Sequence, residues 1–230
     1  SKQSTRCINF PFSTSLNPLK KDIEKCLQRS INIANDADCF VLSEAIDGAA
    51  TQYNNVFGII LGTGVGGGIV INKRIINGPN SITGEWGHNP LPWLKESDIV
   101  TPCYCGKKGC IETFLSGPGM SKQYKRLNTK VEPPSTLDSE DIFKLSQTGH
   151  KLATECVSQY VDQLARSLAS VINILDPEII VFGGGLSNID RLYTPVTEKL
   201  SDYIFSNTVN TKIVKAYHGD SSGVRGAAWL

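Results

Sequence analysis

What this sequence lacks narrows its possible functions before any motif is read. Charge imbalance is missing: 23 Lys and Arg face 22 Asp and Glu, a formal net charge of +1. A chain so close to neutral has no general attraction for nucleic acid or an anionic membrane surface, and neither is expected as a partner. Long apolar runs are missing too. The longest, 56–61, is far too short to cross a bilayer as a helix. The polar stretch 1–9 has no apolar core of the kind a secretory signal needs. There is no internal repeat and no low-complexity tract. A disulfide framework is also not in view: the seven cysteines are an odd number, and three of them crowd into 103–110. The other four (Cys7, Cys26, Cys39 and Cys156) fit a reducing, cytoplasmic setting.

What is present is ordinary globular material, 230 residues with 40% hydrophobic content, enough for one large domain or one and a half small ones. Residues 1–19 are polar and rich in turn formers, with Pro11 and Pro18. Apolar spacing predicts helices over 19–29, 37–50, 113–127, 138–147, 150–175, 189–200 and 223–230. Pro133 and Pro134 break the chain between the third and fourth of these. The longest, 150–175, carries Leu152, Cys156, Tyr160, Leu164, Leu168 and Ile172 at four-residue intervals, a stripe suited to a core helix. Strands are predicted over 31–34, 56–61, 68–72, 74–77, 178–182 and 212–217. Strands alternating with helices make the class α/β. Residues 78–110 read as one long loop punctuated by Pro79, Pro90, Pro92 and Pro102, which calls for an internal staple.

That staple is legible. Cys103, Cys105 and Cys110 stand in C-x-C-x4-C spacing, and His88 lies fifteen residues upstream. Together they supply a Cys3His set for a closed tetrahedral zinc, with Gly106 and Gly109 allowing the tight turns. The alternative is three unrelated buried cysteines. Ahead of the loop, Gly62, Thr63, Gly64, Val65, Gly66, Gly67 and Gly68 form a glycine-rich link between two strands. It formally matches G-x-G-x-x-G but runs into strand, so it is not a dinucleotide fingerprint, and without G-K-[ST] it is not a Walker loop. Its exposed N–H groups suit an anion nest, and the competing reading is a plain turn. Gly183, Gly184 and Gly185 follow a strand and precede a helix, either as a nucleotide approach or as a simple turn. Asp36 is either a helix cap or a base for a substrate hydroxyl. Glu85 and Glu112, beside the metal ligands, are either hydroxyl-binding groups or solvated loop charges.

Taken together, 35–39, 62–68, Gly-Glu-Trp-Gly-His at 84–88, Cys-x-Cys-Gly-x-x-Gly-Cys-x-Glu at 103–112, Asp176-Pro177, 183–187 and 218–228 resemble the ROK family of sugar kinases and sugar-responsive repressors. The resemblance runs from about residue 16 onward. It implies a two-lobed, actin-like (ribonuclease-H-like) α/β fold, with 1–50 and the C-terminal helix 218–230 belonging to one lobe and 51–217, with its zinc loop 78–112, forming the other. It implies that Asp36 is the catalytic base and that Asn35, Glu85, His88 and Glu112 bind the sugar. His88, Cys103, Cys105 and Cys110 would hold structural zinc. The glycines at 62, 64, 66, 67 and 68, with Thr63, would face the ATP phosphates, and Gly183 to Gly185 the adenosine.

Magnesium-ATP as co-substrate, a hexose and a homodimer are implied likewise. Residues 85–93, 103–114 and the C-terminal stretch look most like fructokinases with side activity on mannose, with N-acetylglucosamine kinase second. A non-catalytic sugar sensor or repressor fragment is the alternative from another class. Family members open with a strand and a D-x-G-G-T phosphate loop that have no counterpart in this sequence. The expectation is therefore of a chain with a truncated N-terminal lobe, which by itself binds zinc, binds ATP weakly at best and is inactive without a partner or the missing segment.

Overall fold

A five-stranded sheet in the order β3-β2-β1-β4-β5 forms the centre of the computed structural model, which describes residues 16–127 and 137–230. β1 (Asn55–Leu61) and β2 (Val65–Ile71) make an antiparallel hairpin, extended by β3 (Arg74–Ile75). β4 (Ile179–Gly183) and β5 (Lys212–Lys215) lie parallel to β1 and to each other. Parallel pairing needs a crossover, and the long excursion from 76 to 178 supplies it.

Both faces of the central strands are covered, so their side chains feed two separate cores. From β1 and β4, Phe57, Ile59, Leu61, Ile180 and Phe182 pack with Tyr160, Leu164 and Leu168 of α6 (Lys151–Leu175). On the opposite face Val56, Ile179 and Val181 meet Phe40, Val41, Leu42 and Ala45 of α2 (Asp36–Asp47). The period-two alternation of a strand explains the split. Close approach of α2 requires two glycines: a Cβ at Gly58 would stand 2.2 Å from the Val41 side chain, and one at Gly183 would stand 2.6 Å from the Phe40 ring. α8 (Ser222–Ala227) crosses α2, and the buried Glu44 carboxylate fastens the pair by accepting from the backbone N–H groups of Tyr217 and His218 and from the Ser222 hydroxyl.

Most predicted elements form within a few residues of their expected ends. The predicted strand at 31–34 does not: that stretch, after α1 (Leu16–Leu27), is irregular, because among the described residues no strand lies beside it to complete a ladder. The single helix expected over 113–127 is two, α3 (Glu112–Leu115) and α4 (Gly117–Leu127), separated at Ser116. α5 (Ser139–Gln147) is capped by Asp138, and α7 (Tyr193–Leu200) begins late because 190–192 is a tighter 3-10 turn. Cys7, Pro11 and the Pro133-Pro134 break lie outside the described residues.

The loop 76–111 is held by isolated bridges, Pro90 to Cys110 and Pro102 to Lys108, and by one buried arginine. Arg166 on α6 spends its full complement of five donors here: Nη1 on the carbonyls of Pro92 and Trp93, Nη2 on both oxygens of Asp98, and Nε on Asp162. Lys95 and the Tyr203 hydroxyl also reach Asp162, and Trp93 stacks on Tyr203 at 5.7 Å. Burial pushes the Asp162 carboxyl up, but bonds from Lys95 and Tyr203 and the charges of Arg166 and Lys95 outweigh it and hold the group below its ordinary range.

Candidate functional site

The first turn of α2 presents two carboxylates in different settings. Asn35 is the helix cap, its Oδ1 accepting from the Ala37 N–H at 2.8 Å. Asp36 is thereby released from sole duty as the cap, although its Oδ1 also lies 2.9 Å from that N–H. Both residues are exposed at the positive end of the helix, where an anionic side chain is favoured. Asp38, two residues on, is buried at 7% exposure, and its Oδ1 has no hydrogen-bond partner. Burial, then the charges of Glu85 and Asp36, push its carboxyl up to about 6. Sequence reasoning passed over Asp38. The signal was its place in the same motif as Asp36, but only burial distinguishes it.

Residues 84–88 lie directly across β2. Trp86 Nε1 donates to the Gly66 carbonyl at 2.8 Å, and Trp86 is edge-on to Phe57. Gly84, at φ +86, rests on Gly67, and a Cβ on Gly87 would be 2.2 Å from the Val65 carbonyl. These contacts divide the glycine stretch in two. Gly66, Gly67 and Gly68 sit within β2, paired with Ile60, Ile59 and Gly58, and their missing side chains make room for Ala37, Asp38, Gly84 and Trp86. The hairpin tip is different. Gly62 has open space before it, Thr63 is exposed, and Gly64 adjoins the Glu112 carboxylate. Glu112 Oε2 accepts from the Val65 N–H at 3.0 Å, tying the cysteine loop to the tip.

At the same edge of the sheet, Gly184 (φ +80) packs against the Leu61 carbonyl while Gly185 faces open space. Gly62 to Gly64 and Gly184 to Gly185 therefore flank the carboxyl ends of the parallel pair β1 and β4, where α/β folds take their ligands.

His88, Cys103, Cys105 and Cys110 converge, with one ligand atom from each lying within 4.8 Å of all the others. His88 Nδ1 is 3.6 Å from Cys103 Sγ, and Cys105 Sγ is 3.6 Å from Cys110 Sγ. A tetrahedral zinc with Zn–S of about 2.3 Å and Zn–N of about 2.0–2.1 Å needs ligand-to-ligand edges of roughly 3.5–3.8 Å. The residues fit that ion. Gly106 (φ +88) and Gly109 (φ +70) make the reversals between the thiols. Purified chain is expected to contain one zinc, and Cys105→Ser to lose it together with several degrees of thermal stability. Metal analysis showing no zinc in the parent chain, or an unchanged melting temperature in the variant, would overturn this.

His88 Nε2 points away from the thiols and meets the Tyr104 hydroxyl at 2.9 Å. Burial, followed by Glu112, Cys103, Glu85 and Cys105, raises the Tyr104 phenol, so that hydroxyl shares its surroundings with both carboxylates predicted to bind substrate. Tyr104 too was missed by sequence reasoning, since its position between two ligands is a spacer in the motif.

The Asp38 carboxyl yields a pH test. Its folded value of about 6 against an ordinary 3.8 means that the folded state holds an extra proton between those limits. Stability is therefore lost as pH rises through that window, by up to about 3 kcal/mol at 1.36 kcal/mol per unit. Asp38→Asn is expected to melt higher than the parent at pH 8 and about equally at pH 4. A difference that stays flat across melting curves from pH 4 to 8 would show that the carboxyl titrates normally.

With this geometry established, comparison with known proteins is informative. The sequence profile of the ROK family matches residues 1–230. An N-acetyl-D-glucosamine kinase of Pectobacterium atrosepticum is 42% identical over 228 residues, covering 96% of this chain and 73% of that protein. The crystal structure of a ROK hexokinase from Thermus thermophilus superposes with a TM-score of 0.79 at 26% identity, over 92% of this chain and 68% of the other. A ROK family transcriptional regulator, homologous to the E. coli MLC protein, gives a TM-score of 0.76 at 27% identity, over 91% and 54%. The chain therefore belongs to the ROK family and carries its actin-like α/β kinase fold.

Proposed function

We propose that this chain, together with the D-x-G-G-T segment supplied fused or in trans, phosphorylates the 6-hydroxyl of a hexose with magnesium-ATP, and that the hexose is N-acetyl-D-glucosamine ahead of fructose. The observation that carries the chemistry is that one hairpin collects these groups: Glu112 bonds it at Val65, the segment holding Glu85 and His88 packs on it through Trp86, the helix opened by Asp36 packs on Gly66, and Gly62 at its tip faces open space. The choice of sugar moves from fructose, favoured by local motif likeness, to the amino sugar, because relatives above 40% identity carry that name. In this reading Asp36 takes the proton from the attacking hydroxyl, and Asn35, Glu85, His88 and Glu112 hold the sugar's other hydroxyls. The N–H groups of Gly62, Thr63 and Gly64 meet phosphate oxygens, and Gly183 to Gly185 border the nucleoside. Phosphoryl transfer asks for little beyond such positioning and charge stabilisation.

Zinc bound by His88 and the three cysteines would staple the loop and orient His88, with no part in the transfer itself. Residues 51–217 would form one lobe, and 1–50 with 218–230 would belong to the other. A coupled assay across N-acetylglucosamine, fructose, mannose and glucose tests the proposal, and turnover highest on fructose would reverse the sugar order. The likeness to a transcriptional regulator supports a second reading, a sugar sensor without turnover. The two part on nucleotide: a kinase binds ATP at the hairpin tip and loses that affinity in a Gly64→Val variant, whereas a sensor binds none.

A further inference from the structure

His88 has two ring nitrogens, and the one that faces away from the thiols is already engaged. Nδ1 lies toward Cys103, while Nε2 lies 2.9 Å from the Tyr104 hydroxyl. The phenol ring stands edge-on to the imidazole, centroids 5.1 Å apart at 86°, yet the residue as a whole is 66% exposed. Its tip is held while its body stands in solvent. With Nδ1 turned to a metal, Nε2 carries the ring's one N–H and has a single bond to give. A sugar hydroxyl settling among Glu85, His88 and Glu112 needs that same N–H.

We propose that Tyr104 is a specificity residue of the sugar subsite: its hydroxyl fills the place of a sugar hydroxyl on His88 Nε2 and is displaced when sugar binds. The inference rests on the sugar-kinase reading above. Displacement is mechanically easy. Cys103 and Cys105 fix the backbone on either side, so only the side-chain torsions of Tyr104 turn, and most of the ring's surface is already in water. At His88 Nε2 the exchange trades one neutral hydrogen bond for another, so a ligand with a hydroxyl at this point restores the bond to the imidazole. A ligand with hydrogen or carbon there opens the site and leaves the N–H unpaired. His88 Nε2 is partly exposed here, so it is a bound ligand covering the N–H without pairing it that is penalised, and a donor left unpaired in that way selects more strongly than apolar fit; Tyr104 and His88 together then select for the hydroxyl pattern of the sugar.

The test compares zinc-loaded parent and Tyr104→Phe, each with its zinc content measured, by calorimetric titration with N-acetyl-D-glucosamine. Phenylalanine keeps the ring and its edge contact but has no hydroxyl to compete. The sugar Kd is expected to fall by about two- to ten-fold, the worth of one net neutral hydrogen bond. Histidine ¹⁵N spectra give a second readout: Tyr104→Phe alone should shift His88 Nε2, and sugar should bring both proteins to a common bound position. Equal affinities, or weaker binding by the variant, would overturn the displacement. If neither protein binds N-acetylglucosamine, glucose, fructose or mannose, the sugar reading falls and this inference falls with it.

Discussion

With the D-x-G-G-T segment supplied fused or in trans, replacing Asp36 with asparagine is expected to lower sugar phosphorylation by roughly 10²–10⁴, the range for a lost general base, while sugar affinity stays within a few fold. The local structure makes this a clean experiment. The helix cap belongs to Asn35, whose Oδ1 accepts from the Ala37 N–H, so α2 keeps its start. An asparagine at 36 retains an oxygen where Asp36 Oδ1 lies 2.9 Å from that N–H. The loss of one negative charge at the helix N-terminus costs only about 0.3–1 kcal/mol, too little to unfold the chain. What disappears is the ability to take a proton from the attacking hydroxyl. A turnover number that drops while KM holds would locate the effect in the transition state. A variant that kept more than a tenth of parental turnover would return Asp36 to a purely structural role.

How far the site could be read in advance depended on whether a residue's role is set by covalent spacing or by packing. Spacing encoded the metal cluster: three thiols within eight residues and two glycines leave few other arrangements, and the four ligands do meet. It also encoded the start of α2 at an Asn-Asp pair. Packing encoded the rest. Nothing near Gly67 in the sequence says that Gly84 and Trp86 will lie on it, so composition alone does not tell which glycines of the stretch serve close packing. Asp38 and Asp36 are the same residue type two positions apart, and only the sheet behind α2 buries one and exposes the other. The stretch 31–34 has a strand's composition, but a ladder needs a neighbour. Arg166, beside the apolar stripe of α6, and Glu44, among the apolar residues of α2, are charged residues that only tertiary partners explain.

Removing that arginine carries the largest expected cost to stability. In Arg166→Ala, Asp98, whose side chain is 2% exposed, would lose its bidentate partner, and the carbonyls of Pro92 and Trp93 would lose their donors. An intact buried pair is worth little net, because desolvation consumes the Coulombic gain, but one half left alone is costly, about 3–5 kcal/mol. At about 2–4 °C per kcal/mol for a chain of this size, the melting temperature should fall by roughly 10 °C or more. The damage should also reach the metal site. Residues 92–98 lie between His88 and Cys103, so releasing them frees two zinc ligands from each other, and zinc should dissociate faster from the variant.

The double change Arg166→Met with Asp98→Leu separates the explanations. It removes the stranded carboxyl and leaves Gln163 Nε2 and the Lys95 backbone N–H, which now donate to Asp98 Oδ1 at 2.9 Å and Oδ2 at 2.8 Å, as the smaller loss. The double variant should be clearly more stable than Arg166→Ala, although Asp162 would lose Arg166 and keep Lys95 and Tyr203 as partners. Denaturation curves in which Arg166→Ala costs less than about 1 kcal/mol, or the double variant proves no better, would show that the loop is held by its own bridges and its zinc rather than by this arginine.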